Sequence, residues 1–462
     1  MSKDAYAEGR SLKPLLFIAA LVVLLFAGIA VFHTGAPPII TIEPGMSAIG
    51  RKTPVTVEIA EPKRGLTNVR VELIQNDTFA VLDEKNYEPS WQIPFLGSKT
   101  EKDALAVVAG LQTLPELKGG AATIRVTAGR AGTWLRSPSA VVEELTLPVR
   151  LTPPSLQVTS THTYVSQGGS EAVTYRVGES AVRDGVRVGD YWFAGYPLPG
   201  GGLNDRFALF AVPYDMSTLD VRLVAEDSAG NIAEAGFVDN FTQRRLRSDT
   251  IQISDAFLNK VVPPILSQTP EIREQGTLLD SFLAINRDLR KTNAETIQAL
   301  SENSQRSFLW KRSFQMMPNS KVTASFAERR TYIYQGREID QQDHLGFDLA
   351  QVKQSPIPAA NDGVVVLARF LGIYGNSVII DHGYGLMTIY AHLSSSAVAE
   401  GQEVTRGEII GRTGETGLAG GDHLHYCTLL AGLPVNPLEW SDGNWVRNRI
   451  AGKLGSAFPF EN

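Results

Sequence analysis

Between residues 39 and 151 the chain repeatedly alternates apolar and polar positions. Val69, Val71 and Leu73 alternate with polar residues, as do Ile124 and Val126, and again Leu145, Leu147, Val149 and Leu151. A period of two places one face of a strand against a core and the other in water, so this stretch is expected to form half-buried antiparallel strands. Pro153-Pro154 breaks the pattern. It then resumes with Val173, Tyr175 and Val177, and with Leu219, Val221, Leu223 and Ala225. Between about Ser254 and Phe314 the period changes. Leu278, Phe282, Ile285, Leu289, Thr296 and Leu300 recur at steps of three, four or seven, with Arg287, Asp288, Arg290 and Lys291 off that stripe. This predicts an amphipathic helix, with Thr277 as its N-cap and Asp280 near its positive end. From about Pro318 to Trp445 short strand patterns and glycine turns return. A valine-rich run covers 363–370, His382-Gly383-Tyr384-Gly385 reads as a hairpin turn between 377–381 and 386–392, and further strands are expected at 407–411 and 424–430.

The start of the chain departs from all of these patterns. Leu15 to Phe32 reads LLFIAALVVLLFAGIAVF, 18 residues without a charge. At ~1.5 Å per residue the run spans roughly 27 Å, close to a hydrocarbon core of ~30 Å. Lys3, Arg10 and Lys13 precede it, which predicts a cytoplasmic tail over 1–14 and a C-terminal bulk on the outer side. A cleaved signal peptide is the rival reading, but its apolar core is usually ~7–15 residues and no small-x-small cleavage site follows. The expected architecture is therefore mainly β. It comprises a transmembrane helix over 15–32, β-sandwich modules over 36–150 and 151–248, and a helical connector over 249–317. An all-β domain over 318–447 and a tail over 448–462 complete it. The stretch Ala225 to Asn231, AEDSAGN, resembles the last strand and turn of bacterial immunoglobulin-like modules, which implies that the two sandwiches are of that kind, in series as spacers.

Composition adds little to this picture. Hydrophobic residues make up 43% and charged residues 20%, and 42 glycines with 25 prolines suit strands joined by turns. A net charge of -6 gives no basic face for nucleic acid. The single cysteine, Cys427, rules out an intramolecular disulfide.

The candidate chemistry lies in the last domain. Of seven histidines, His344, His382, His392, His423 and His425 fall there, while His33 and His162 are scattered. In a strand, His423 and His425 share a face about 7 Å apart, which suits one metal ligand and one catalytic neighbour. The segment HLGFD (344–348) supplies another histidine and a carboxylate. Two imidazoles and a carboxylate form a set that binds catalytic zinc and leaves a position for water. His382, in a turn, reads as structural.

HLGFD (344–348), YAHL (390–393), RGEIIGRTGETG (406–417), HLHY (423–426) and PVNPLEW (434–440) occur in order. Together they make residues 320–445 resemble the lysostaphin-type, or LytM-like, zinc peptidases that cut peptidoglycan peptides. The resemblance implies an all-β catalytic domain with an open groove. It implies Zn2+ held by His344, Asp348 and His425, with His392 and His423 as the catalytic histidines. Tyr390, two residues before His392, is expected to line the cleft and touch substrate. Arg329, Arg330 and Tyr332 read as ordinary solvated residues, with contact to substrate carboxylates as the alternative. Where the family commonly has a glutamate after HLHY this chain has Cys427, on the strand face of the two histidines. The implied function is a membrane-anchored zinc metalloendopeptidase of the periplasmic face of the inner membrane. It would hydrolyse peptidoglycan stem-peptide cross-links, with cell-envelope proteins as further partners. The alternative is a non-catalytic wall-binding platform that recruits another hydrolase.

Overall fold

The computed structural model describes residues 13–32, 36–88, 99–133 and 135–461. The expected tail over 1–14 falls, up to residue 12, outside the described residues, as does His33. The apolar run forms a helix, α1 (Lys13–Phe32). Among the described residues no helix is long and apolar enough to cross a membrane.

The chain divides into two compact units, Met1–Pro153 with Glu226–Ile232, and Pro154–Ala225 with Ala233–Asn462. In the first, a three-stranded sheet (Ile39–Pro44, Thr53–Ala60, Lys102–Ala109) accompanies a four-stranded one ordered Thr78–Asn86, Leu66–Gln75, Gly120–Arg130, Val141–Val149. Val55, Val57 and Ile59 share one core with Val69, Val71, Leu73, Ile124 and Val126. The alternating side chains of the two sheets thus close on each other, as a period of two requires.

The second unit is larger. Two four-stranded sheets occupy residues 156–235. The strand Ser170–Val177, expected to be half-exposed, is buried along nearly its whole length. Its second face is taken by the C-terminal residues, which are not a free tail: Val446–Ala451 forms a π-helical run, and Ile450, Leu454 and Phe458 are buried. Lys453 donates to the Ala172 carbonyl at 2.9 Å. Tyr175 and Phe207 of this sandwich lie in the same core cluster as Trp310, Tyr390, Trp440 and Ile450. The segments drawn from sequence as a spacer and a catalytic domain therefore share one hydrophobic interior.

The helical segment comprises α2 (Asp255–Gln268), α3 (Leu278–Ala284) and α4 (Arg290–Glu302), the last two joined by a π-helical turn, Ile285–Leu289. Thr277 caps α3, its side chain accepting from the Asp280 N–H. The apolar stripe begins as expected with Phe282, Ile285 and Leu289, but in α4 the buried positions are Asn293, Ile297 and Ser301 in place of Thr296 and Leu300. A π-turn holds one extra residue, so every position after it is displaced by one relative to a continuous α-helix. Just before α2, Ser248–Ile253 pairs in parallel with Glu328–Tyr334, which pairs antiparallel with Arg337–His344.

The main sheet runs in the order Lys321–Ala324, Phe347–Ala350, Leu424–Leu430, Leu386–Ala391, Asn376–Gly383, Gly363–Phe370, Glu403–Val404. The expected hairpin is present, with Tyr384 (φ 52) and Gly385 (φ 80) both left-handed, as a tight two-residue turn requires.

Candidate metal centre

The register of the main sheet assembles the site. On its central strand, His425 lies opposite Asp348 on one side and opposite Ala391, the residue before His392, on the other. His344 ends the strand Arg337–His344, and Leu345-Gly346 turns the chain back into Phe347–Ala350. Gly346 is required there, because a Cβ would lie 2.7 Å from His425 Cε1 and from the Tyr426 carbonyl.

Three donor atoms converge. His344 Nε2 is 2.8 Å from Asp348 Oδ1 and 2.9 Å from His425 Nδ1, and His425 Nδ1 is 3.0 Å from Asp348 Oδ1. His344 Nδ1 donates to the Ser325 carbonyl at 3.1 Å, which turns the Nε2 lone pair into the cluster. Two imidazole nitrogens and a carboxylate oxygen in mutual contact, all three residues buried, fit a zinc ion by donor type and number. Asp348 Oδ2 accepts from Arg330 Nη2 at 2.8 Å, so its second oxygen is fixed as well.

The other two histidines stand beside this cluster. His423 Nε2 is 3.5 Å from Asp348 Oδ1, and the rings of His392 and His423 are 4.8 Å apart. Both are held through Nδ1, by the Thr416 carbonyl at 2.8 Å and the Gly421 carbonyl at 2.7 Å. Each therefore presents Nε2 to the cleft. Burial, and then the charges of His423 and His425, push His392 well below the ordinary imidazole value. Burial also lowers His423, but the hydrogen bond and charge of Asp348 outweigh it and the net shift is upward. Burial raises Asp348, yet the surrounding histidines, His344 first, hold it well below the usual carboxylate range.

Tyr390 does not reach the cleft. It is 1% exposed, and its hydroxyl accepts from the Ala360 N–H at 2.7 Å and bonds with Thr388 at 3.1 Å. The parity argument from His392 fails because the strand ends at Ala391 and His392 takes a left-handed φ of 65. His382 is structural as read, bonded to the Asp362 carbonyl and to Thr388, with its pKa pushed down to about 4 by burial. Cys427 is buried among Ile297, Met387 and Leu429, with its thiol pushed up by burial, and stands outside the donor set. Arg329 and Arg330 are already paired, with Asp343 and Asp348 respectively.

A cavity of ≈ 260 Å³ opens over the cluster, walled by Ile251 from the strand before α2, by Phe257 of α2 and by Ile373, Tyr374 and Leu418. Lys260 of α2 bonds to Glu415 and to the Gly420 carbonyl, fastening α2 to the loop before His423. None of these wall residues carries a periodicity or motif signal. Tyr374 ends a single 3₁₀ turn, Gly372–Tyr374, its ring 5.7 Å from that of His425.

Residues 342–437 match the family model described as Peptidase family M23. The chain thus carries an M23, LytM-type, peptidase domain. It is similar to the peptidoglycan DD-endopeptidase ShyA of Vibrio cholerae, with 40% identity over 131 residues, 28% of this chain and 30% of that protein. It is also similar to the DD-carboxypeptidase/endopeptidase Mpg of Neisseria meningitidis, with 46% identity over 96 residues, 21% of this chain and 22% of that one. The matched stretches span less than a third of either relative's own length. Among solved structures, the catalytic domain of lysostaphin from Staphylococcus simulans aligns at 26% identity over 26% of this chain and 90% of that one, with a TM-score of 0.23.

Proposed function

We propose that this protein is a zinc endopeptidase of the cell envelope that hydrolyses peptide cross-links of peptidoglycan. The observation that carries the reading is the convergence of His344, Asp348 and His425 with two further histidines presenting Nε2 beside them. The names of the M23 relatives support the substrate class. The prefix DD in those names points to an amide between two D-configured centres as the bond cut. The apolar run over 15–32 supports a single-pass anchor in the inner membrane, with the rest of the chain in the periplasm.

His344, His425 and Asp348 would hold the zinc ion. When bound, zinc acidifies a water towards a pKa of ~7 and polarises the substrate carbonyl. His392 and His423, each held through Nδ1, turn Nε2 to the cleft, to take the proton of the attacking water and return it to the leaving amine or to stabilise the oxyanion. Arg330 holds the second oxygen of Asp348 in place. The apolar wall of Ile251, Phe257 and Leu418 thins the water around the carbonyl, which strengthens each of these polar interactions.

The test uses the full chain with purified peptidoglycan, with and without a chelator, beside a His425→Ala variant. New peptide termini detected by mass spectrometry are expected from the native protein alone, and are expected to vanish with chelator and in the variant. Stoichiometric zinc with no bond cut would instead favour a wall-binding platform. Extraction of the full chain by detergent but not by high salt is the expected outcome for the anchor.

A further inference from the structure

A second cavity, ≈ 580 Å³, lies along α4 and meets the first at the metal cluster, since His344, His425, Tyr374 and Arg290 line both. Of these four only Arg290 carries a permanent charge. In a continuous helix Arg290 falls off the buried stripe, with Arg287 and Lys291. It follows directly after the π-turn, whose extra residue alters the face that position 290 presents. Its guanidinium is fixed from one side, Nε donating to the Asn286 carbonyl at 3.1 Å and Nη2 to Asn286 Oδ1 at 2.7 Å. Asn286 is itself held by Asp340 at 2.8 Å.

Three carboxylates on the strand side of the cluster are matched to other arginines. Asp340 pairs with Arg287 at 3.0 Å, Asp343 with Arg329 at 3.0 Å, and Asp348 with Arg330 at 2.8 Å. Arg290 forms no ion pair among the described residues. An arginine anchored by a neutral amide, turned into a cleft and left without a carboxylate is a receptor for one.

We infer that Arg290 is a specificity-determining residue that receives a free carboxylate of the bound peptide beside the scissile bond. The inference rests on the endopeptidase reading, because cross-linked stem peptides carry such carboxylates. It adds a contact from α4, outside the matched M23 segment. A protein with this contact prefers stem peptides whose carboxylates are free over those in which they are amidated.

The test uses the zinc-loaded full chain and two pairs of synthetic cross-linked dimers. Within each pair the free carboxylates are either acids or primary amides. In one pair the scissile amide is reduced to an amine, so that binding is measured by calorimetry without turnover. The native chain is expected to bind the acid form about tenfold more tightly, the scale of one charge-assisted hydrogen bond in a partly buried site. Arg290→Gln is expected to lose that preference. With the cleavable pair it is expected to raise KM for the acid form about tenfold, with kcat within about threefold. Arg290→Lys is expected to keep part of the preference. Equal affinity of the native chain for both forms overturns the inference whatever the variants do. So does a full preference retained by a folded Arg290→Gln protein. Preference without cleavage of either amide overturns the hydrolase reading and leaves Arg290 as the carboxylate receptor of a wall-binding protein.

Discussion

His392 is a non-glycine residue with φ 65, a conformation that carries strain for most side chains. Here the strain has a visible use, since it takes the ring out of strand parity and brings it 4.8 Å from His423. The ring contributes no donor to the three-atom cluster. His392→Gln is therefore expected to leave zinc content unchanged while cleavage falls by ~10²–10⁴, the usual loss when a positioned proton-transfer group is removed. Loss of zinc in that variant would instead make His392 a ligand. The residues of the three-atom cluster were legible because HLGFD and HLHY hold their spacing in the chain. Tyr390 was misread because spacing says nothing of a φ that changes sign. Arg290 was invisible for a related reason, as the turn that aims it is a departure from periodicity.

The helical segment decides the shape of the cleft as much as the main sheet does. Asn293 of α4 is buried, and its Oδ1 accepts from the Ile373 N–H at 3.0 Å. That bond fixes the turn carrying Tyr374 beside His425. Asn293→Leu removes the acceptor and leaves the Ile373 N–H unpaired in an apolar setting, which costs about 1–3 kcal/mol. A lower denaturant midpoint with unchanged slope is the expected result. The sequence announced a helix here and its cap at Thr277, because both are local signals. The residues of the π-turn pack against and bond to the strands at 248–253 and 328–344, and no pattern within residues 278–302 reports those neighbours.

Across the second unit, one buried carboxylate joins distant stretches of chain. Glu439 accepts from the Ser170 N–H at 2.8 Å and from Arg244 at 3.0 Å. Burial raises its pKa from 4.5 to about 7, Ser170, Arg244 and Arg449 opposing the shift and Glu171 adding to it. The folded state thus holds the proton more tightly than the unfolded chain. The stability this contributes is present in full below pH 4.5 and is lost as pH rises through about 7. The unfolding temperature of the native protein is expected to fall more steeply across that window than that of Glu439→Gln, and parallel profiles would remove Glu439 from the account. Strand periodicity made both sandwich segments readable. It could not reveal that Ser170–Val177 is buried at all but one position, because the covering side chains, Ile450 and Leu454, lie about 280 residues downstream in a stretch with the look of a tail.

The interior shared by Tyr175, Phe207, Trp310 and Trp440 has a genetic corollary. A search for inactive alleles would not stop at the histidines. Substitutions at Tyr175, Phe207 or Val221, outside the peptidase motifs, would score as loss of hydrolysis through a collapsed scaffold. Restoring alleles would arise on the opposite side of that interior, around Trp440 and Phe458, with His344, Asp348 and His425 untouched.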